Sequence, residues 1–423
     1  ATASVDVRSG ADPVSYEETI LADNPLAYYR FEEPIGCPTI FDHSPNFKDS
    51  TSITGNVQLR KPGAIGSAVR FNNAETIALG LNFNPQDPDG DDTTGDVDPD
   101  GVEAWSVELL VKPDSATRVS GSQNLLSNQD GTGTGRTDLM ITYDKGALAS
   151  FFGATSQYSD TPLFSAAWSH LVMVAQYQSA TANYTVRYYV NGQPAGIVTG
   201  VPIESATGAW VLGSHKIRQT GVFYAGLMDE VSFYKYALDD PDANGDMADS
   251  KVPGHFAAYI QDGAPLLSFG THHPVVHRSS GGTLSILVGD AAQSVTIDNG
   301  VGTVTPVNGV ATVNVFPSVD TLYTITVNDG VTNYTATANV TVIGELVLLA
   351  NGFTAPGVFQ ITAGNLIPGN SYHLYFATDL QTLVSAPTTL NSFIADAYTK
   401  VLSDAAAPAG KGFYRLGEDQ PDP

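Results

Sequence analysis

Apolar and polar residues alternate along most of this chain in short runs that are broken by Gly, Pro, Asn and Asp. Representative runs are "WSVELLVKP" at 105–113, "HLVMVAQY" at 170–177 and "YTVRYYVNGQPAG" at 184–196. A period of two puts every second side chain on one face of a sheet, so these runs predict strands that are half buried. Between two of them stands Asn191-Gly192. Both central positions of a two-residue hairpin take positive φ, which Asn and Gly tolerate best, so a tight hairpin is expected there. Helical spacing is scarce. One short helix is expected near "MADSKVPGHFAAY" at 247–259, and the fold class is all-β.

The runs group into regions. Residues 1–16, "ATASVDVRSGADPVSY", form an arm with an alternating Ala3-Val5-Val7 stripe and too few apolar residues for a core of its own. Two readings of it stand: a frayed terminus, or an extended strand that adds to the sheet edge of a neighbouring subunit. Residues 17–260 hold all three tryptophans and the acidic loops, and 261–272 read as a linker. Residues 273–343 alternate Thr and Val through "TLSILVG", "TLYTITVNDG" and "YTATANVTVIG", the size and pattern of a small immunoglobulin-like sandwich. Residues 344–423 form a last small β domain with "VFQITAGNL", "SYHLYFATDL" and "GKGFYRLGE".

Charge narrows the choice of partners. Forty-four acidic residues against 19 basic give a formal net charge of -25 over 423 residues. No Lys/Arg run offsets it, so nucleic acid and anionic membranes would meet strong repulsion; no nucleic-acid partner and no membrane span are expected, and divalent cations suit the chain better. The one cysteine, Cys37, rules out an intramolecular disulfide. No apolar run approaches the roughly 18 residues that a membrane span needs. The opening residues lack the parts of a signal peptide; a processed secreted chain and a cytosolic one both begin this way. Low Lys, high Asp and Thr-rich strands match an exported bacterial protein, extracellular or at the cell surface.

Several stretches of the first region, taken in order, carry a resemblance. They are "NPLAYYRFEEP" (24–34), "FDHSPN" (41–46), "PGAIGSAVRFNN" (62–73), "WSVELLVKP", "WSHLVMVAQY" (168–177), "YYVNGQPAG" (188–196) and "GLMDEVSFYKYAL" (226–238). The region resembles the laminin G-like jelly rolls of the concanavalin A-like lectin/glucanase superfamily, as found in large bacterial surface proteins. The resemblance implies an N-terminal jelly-roll sandwich followed by two small immunoglobulin-like β-sandwich domains. It also implies a structural calcium held by the Asp of the "DEV" strand and an early acidic turn, which here fall on Asp229 and Asp42. The chain departs from the family by two acidic insertions, 85–102 and 239–254.

Those insertions hold "DVDPDG" and "DPDANG". Asp96, Asp98 and Asp100 occupy the first, third and fifth positions of a calcium-type loop, as do Asp240, Asp242 and Asn244 in the second. A Gly follows each set and allows the sharp turn. The bidentate Glu of an EF-hand is missing from both, since the twelfth positions are Val107 and Lys251. Solvated acidic turns are the alternative. Seven Asp between 87 and 100 repel one another unless a cation intervenes, which favours Ca2+.

The hydrolases of the superfamily carry paired carboxylates on one strand face. Here Asp229 and Glu230 are adjacent, so a regular strand would send them to opposite faces. No nucleophile elbow, zinc-protease or phosphate-loop motif is present. Weaker candidates are the histidines His272, His273 and His277 for a transition metal, Tyr158 and Phe164 for sugar stacking, and sequons at Asn183, Asn333 and Asn339. The expectation is a non-catalytic structural or adhesive protein, a calcium-stabilised subunit of a bacterial surface assembly or filament, homo-oligomeric through β-strand contacts. The alternative is a secreted lectin-like glycan binder, with a glycoside hydrolase less favoured.

Overall fold

The structure is a computed structural model that describes residues 15–85, 104–116, 121–129, 136–142, 146–152, 155–163, 165–178, 181, 183–202, 208–214, 222–240, 247–271, 274–368, 370–407 and 412–418. The first domain is a sandwich of two antiparallel sheets. One runs Gln193–Val201, Asn183–Val190, Ser169–Gln178, Ala104–Pro113, Ala225–Tyr234, Ser67–Asn72, Gln58–Pro62, with Ala27–Tyr29 beside Ala225–Tyr234. The other runs Thr155–Pro162, Ala147–Phe152, Arg136–Ile141, Gln123–Gln129, Trp210–Leu212, Thr76–Ala78, Ser52–Thr54.

Alternation decides what fills the space between the sheets. Trp105, Val107, Leu109 and Val111 point inward from one sheet, and Leu126, Leu139, Ile141 and Trp210 meet them from the other. Phe83 sits 5.8 Å from Trp105 and 5.1 Å from Trp210, ring centre to ring centre, and the two indoles are 5.6 Å apart. Each such ring contributes several kcal/mol through the ~150–250 Å² of surface that it buries.

The hairpin expected at Asn191-Gly192 is present, with φ of 51° and 71° and Val190 paired to Gln193. The expected helix is α2, Val252–Asp262, with Pro253 in its first turn. A second helix precedes it in the chain: α1, Tyr16–Ala22, which falls where the arm was expected to give way to the first strand. Its cap is a reciprocal pair in which Ser15 Oγ accepts from the Glu18 amide and the Glu18 carboxylate accepts from the Ser15 amide. Both helices lie on the outer face of the eight-stranded sheet. That face is therefore a second core, built from Tyr16, Ile20, Tyr28, Leu110, Trp168, Phe256 and Tyr259.

The second core also includes Leu267 and Leu287, so it continues into the next domain. Leu266–Thr271, expected to be linker, is a strand paired with Gly282–Val288. The chain then changes sheets, and Val275–His277 pairs in parallel with Asn333–Ile343. The middle domain thus has a three-stranded and a five-stranded sheet around Phe269, Leu284, Ile286, Tyr323, Ile325 and Val340. The last domain has two three-stranded sheets around Ile361, Leu366, Tyr372, Leu374 and Leu402. No helix among the described residues is long and apolar enough to cross a membrane.

Candidate functional site

Among the described residues, a dense cluster of ionisable side chains lies beneath the two helices. The strand Ala104–Pro113 turns its odd residues to the sandwich core, so Glu108 points outward from the middle of the eight-stranded sheet. In a sheet with a solvated face this would be an ordinary surface carboxylate. Here it is fully buried, and four donors converge on it. Oε1 accepts from Tyr16 Oη (2.9 Å) and His170 Nε2 (2.6 Å). Oε2 accepts from His255 Nδ1 (2.7 Å) and Tyr234 Oη (3.3 Å). The second nitrogen of His255 donates to Asp23 Oδ2 at 2.8 Å, and Lys251 stands 3.5 Å from the other oxygen of Asp23.

Burial alone would raise the Glu108 pKa, but the charge of His255 and the hydrogen bonds from both histidines outweigh it and hold the group far below the carboxylate range. For His255, burial opposes the charge, yet Glu108 and Asp23 raise its pKa to about 9. An imidazolium donating from both nitrogens to two carboxylates is the consistent state at neutral pH. Tyr16 brings α1 to this network, His255 brings α2, and His170 and Tyr234 belong to the sheet. The cluster therefore clamps both helices to one face.

A second buried group adjoins it. The pairing of Ala225–Tyr234 with the Glu108 strand is interrupted by a bulge between Asp229 and Ser232, and Glu230 takes a φ of 51°. The extra residue turns both carboxylates to the helix side, which corrects the expectation that they face opposite ways. Asp229 Oδ2 accepts from the amides of Ala64 (3.0 Å) and Ile65 (3.2 Å). Glu230 accepts from Tyr28 Oη and from Arg30 Nε, the latter at 3.2 Å, and Arg30 also reaches Glu17 of α1 at 2.5 Å. Burial, then the neighbouring Glu230 charge, pushes Asp229 well above its usual range. Glu230 rises to about 7 because burial outweighs Arg30.

The expected calcium ligands divide between described and undescribed residues. Asp96, Asp98, Asp100, Asp242 and Asn244 lie outside the described residues. Asp240 is buried and accepts from Gln176 Nε2 at 3.0 Å, while its neighbour Asp239 holds Arg187 and Tyr189. Asp42 is the hub of its turn. Oδ1 accepts from the Tyr28 and Ser44 amides (both 2.8 Å), and Oδ2 from Ser44 Oγ (2.8 Å) and the Lys48 amide (2.7 Å). Four donors thus point at its oxygens, and calcium at Asp42 stays what the resemblance implies. Asp229 has one oxygen bound to two amides, while its buried Oδ1 has no hydrogen-bond partner among the described residues. Among the described residues no three His, Cys, Asp or Glu side chains converge as a metal site.

The weaker candidates fare similarly. His272, His273, Phe164 and the Tyr158 side chain lie outside the description. His277 is buried and bonds the Gly344 carbonyl through Nδ1 at 2.8 Å, so it ties the middle domain to the last. On the outer face of the seven-stranded sheet the paired residues Val211, Ser127 and Asp138 are all buried.

Comparison with known proteins bears on the first domain. Residues 89–244 match a laminin G-type family model described as "Concanavalin A-like lectin/glucanases superfamily". The first domain is a concanavalin A-like jelly roll. No curated protein sequence matches the chain. Among solved structures it is similar to domain 4 of an extracellular arabinanase from Geobacillus stearothermophilus in complex with arabinotriose, with 19% identity, 55% of this chain, 98% of that one and a TM-score of 0.37. It is also similar to a pentraxin from Limulus polyphemus, with 18% identity, 36% and 75% coverage and a TM-score of 0.26. A third is the binding domain of Paraclostridial Mosquitocidal Protein 1, with 12% identity, 81% and 87% coverage and a TM-score of 0.40.

The Glu108 cluster is the feature that sequence reasoning missed. Its signal was present, since a Glu within an otherwise apolar strand and a His in the expected helix both need partners once they are buried.

Proposed function

We propose that this protein is a non-catalytic, extracellular structural or adhesive β protein, a calcium-stabilised subunit of a bacterial surface assembly. One observation carries the reading. Among the described residues, the clustered acid–base side chains Glu108, His170, His255, Asp229 and Glu230 are at most 1% exposed and act as fasteners between sheet and helices. A mechanical role uses these buried side chains as they stand, which supports the reading. The same helix α2 then packs on the middle domain, so the jelly roll and its neighbour share a core. The strand that changes sheets supports an immunoglobulin-like reading of that neighbour.

Calcium enters this proposal only through the two acidic insertions, where the clustered Asp charges favour a divalent ion. Size-exclusion chromatography and negative-stain imaging, each with calcium and with chelator, test the reading. Calcium-dependent oligomers or filaments are expected. A monomer at all concentrations that is indifferent to chelator overturns it. The second reading, a secreted glycan binder, is favoured by the family model that matches the jelly roll. It predicts binding on a glycan array, and silence there removes it.

A further inference from the structure

The junction between the jelly roll and the middle domain contains a cleft of about 540 Å³. Lys112 and Ser165 line it from the jelly roll, and the strands Leu266–Thr271 and Asn333–Ile343 line it from the middle domain. Two properties of its walls call for a partner. The first is backbone. Asn333–Ile343 pairs with Thr321–Asn328 on one side, and on the other the Thr341 amide donates to the Pro274 carbonyl at 2.8 Å. Backbone groups alternate sides along an antiparallel strand, so Thr335, Thr337 and Asn339 face the same way as Thr341. The parallel partner Val275–His277 covers only Thr341–Ile343. Among the described residues nothing takes the outward amides and carbonyls of Thr335, Thr337 and Asn339.

The second property is charge. Lys112 is half buried, and its pKa is drawn down by burial alone. In a chain with 44 acidic residues, no described carboxylate pairs with it. Among the described residues, the cleft therefore offers an unpaired strand edge, an apolar side formed by Phe269 and Ala338, and one desolvated cation. A five-residue extended strand with apolar residues on one face and an acid on the other would satisfy all three. Ala3-Ser4-Val5-Asp6-Val7 has that pattern and the length of Thr335–Asn339.

We propose that this cleft is the acceptor for residues 3–7 of a second copy of the chain, added as a strand to the Thr335–Asn339 edge with Asp6 facing Lys112. The inference rests on the assembly reading above and names its contact surface. Each subunit then has one strand to give and one edge to receive. Such a head-to-tail contact generates an open polymer or a ring. The eight residues between Val7 and α1 extend to about 27 Å, which sets how far the acceptor cleft can lie from the donor's first helix.

Two measurements test it. In the first, a peptide of residues 1–12 is titrated into the chain lacking those residues. Binding is expected, weakened about tenfold by Lys112→Glu in the protein and recovered when the peptide carries Asp6→Lys. In the second, full-length chains with Cys37→Ser carry either Ser4→Cys or Thr337→Cys, two positions on the same face of the added strand pair, and the two populations are mixed under oxidising conditions. Disulfide-linked dimers of one chain of each kind are expected. Peptide that fails to bind, binding indifferent to Lys112→Glu, or an absence of mixed dimers overturns the inference. Assembly that persists in the chain lacking residues 1–12 overturns it too and leaves the assembly reading standing. A full-length chain that stays monomeric overturns both.

Discussion

Glu108 ties both helices to the sheet, because four donors from both helices and two strands converge on it. Glu108→Ala leaves a buried imidazolium without its main counter-charge and is expected to cost about 3–5 kcal/mol in denaturant unfolding. Glu108→Gln, which can still accept hydrogen bonds, should cost less. A loss below about 1 kcal/mol for the alanine variant would show that the cluster is not a clamp. The pH dependence has a definite sign. His255 has a folded pKa of about 9, above its ordinary 6.5, so its contribution is complete below 6.5 and disappears as the pH rises through 9. That contribution is on the order of 3 kcal/mol. Glu108 has a depressed pKa, so its contribution fades as the pH falls below the ordinary carboxylate value. The wild type should therefore lose stability between pH 6.5 and 9, and His255→Phe should flatten that slope. Reading "WSVELLVKP" shows which way Glu108 points. It does not show that two helices, drawn from residues far apart in the chain, cover it.

Among the elements, the hairpin at Asn191-Gly192 was legible and the helix packing against it was not. Asn191 Oδ1 accepts from the His170 amide at 3.0 Å, so the turn also places His170 beside Glu108. A Cβ on Gly192 would stand 2.8 Å from the ring and Cβ of Phe256 in α2, and the backbone there has a φ of 71°. Gly192→Ala thus strains the turn and pushes α2 outward. We expect faster amide exchange in Val252–Asp262 and a stability loss of about 1–3 kcal/mol. Unchanged exchange in α2 would refute the coupling. The cap of α1 offers a milder control, since Ser15→Ala removes one acceptor and should cost about 1 kcal/mol. That cap is a local pattern, Ser-x-x-Glu, and was readable in the sequence. The strand-like alternation of the segment before α1 obscures it. The bulge at Glu230 was not readable, since nothing in "LMDEVSF" marks where a ladder gains a residue.

At the scale of the whole molecule, all-β architecture and the order of the domains follow from alternation and turn residues, but the strength of the junctions does not. The segment 261–272 carries Gly, Pro and polar residues and so reads as a linker, yet its Leu266–Thr271 part is a strand whose Leu267 enters the core under α2. Shared apolar burial couples folding far more strongly than polar contacts at a surface do. The jelly roll and the middle domain share Leu267, Leu287, Phe256 and Tyr259, together with the hydrogen bond from the Asp290 amide to the Ile260 carbonyl (3.1 Å). The middle and last domains meet instead through polar groups. His277 bonds the Gly344 carbonyl, lies 3.5 Å from Glu418, and Ser279 Oγ donates to Glu345 at 2.6 Å. Calorimetry should accordingly show the first two domains melting as one transition and the last domain as a separate one. Leu287→Asp buries a charge in the shared core and should split the first transition in two, whereas Ser279→Ala should leave both transitions almost unmoved. Three independent transitions in the unmodified chain would contradict a shared core and would return residues 261–272 to the role of a linker.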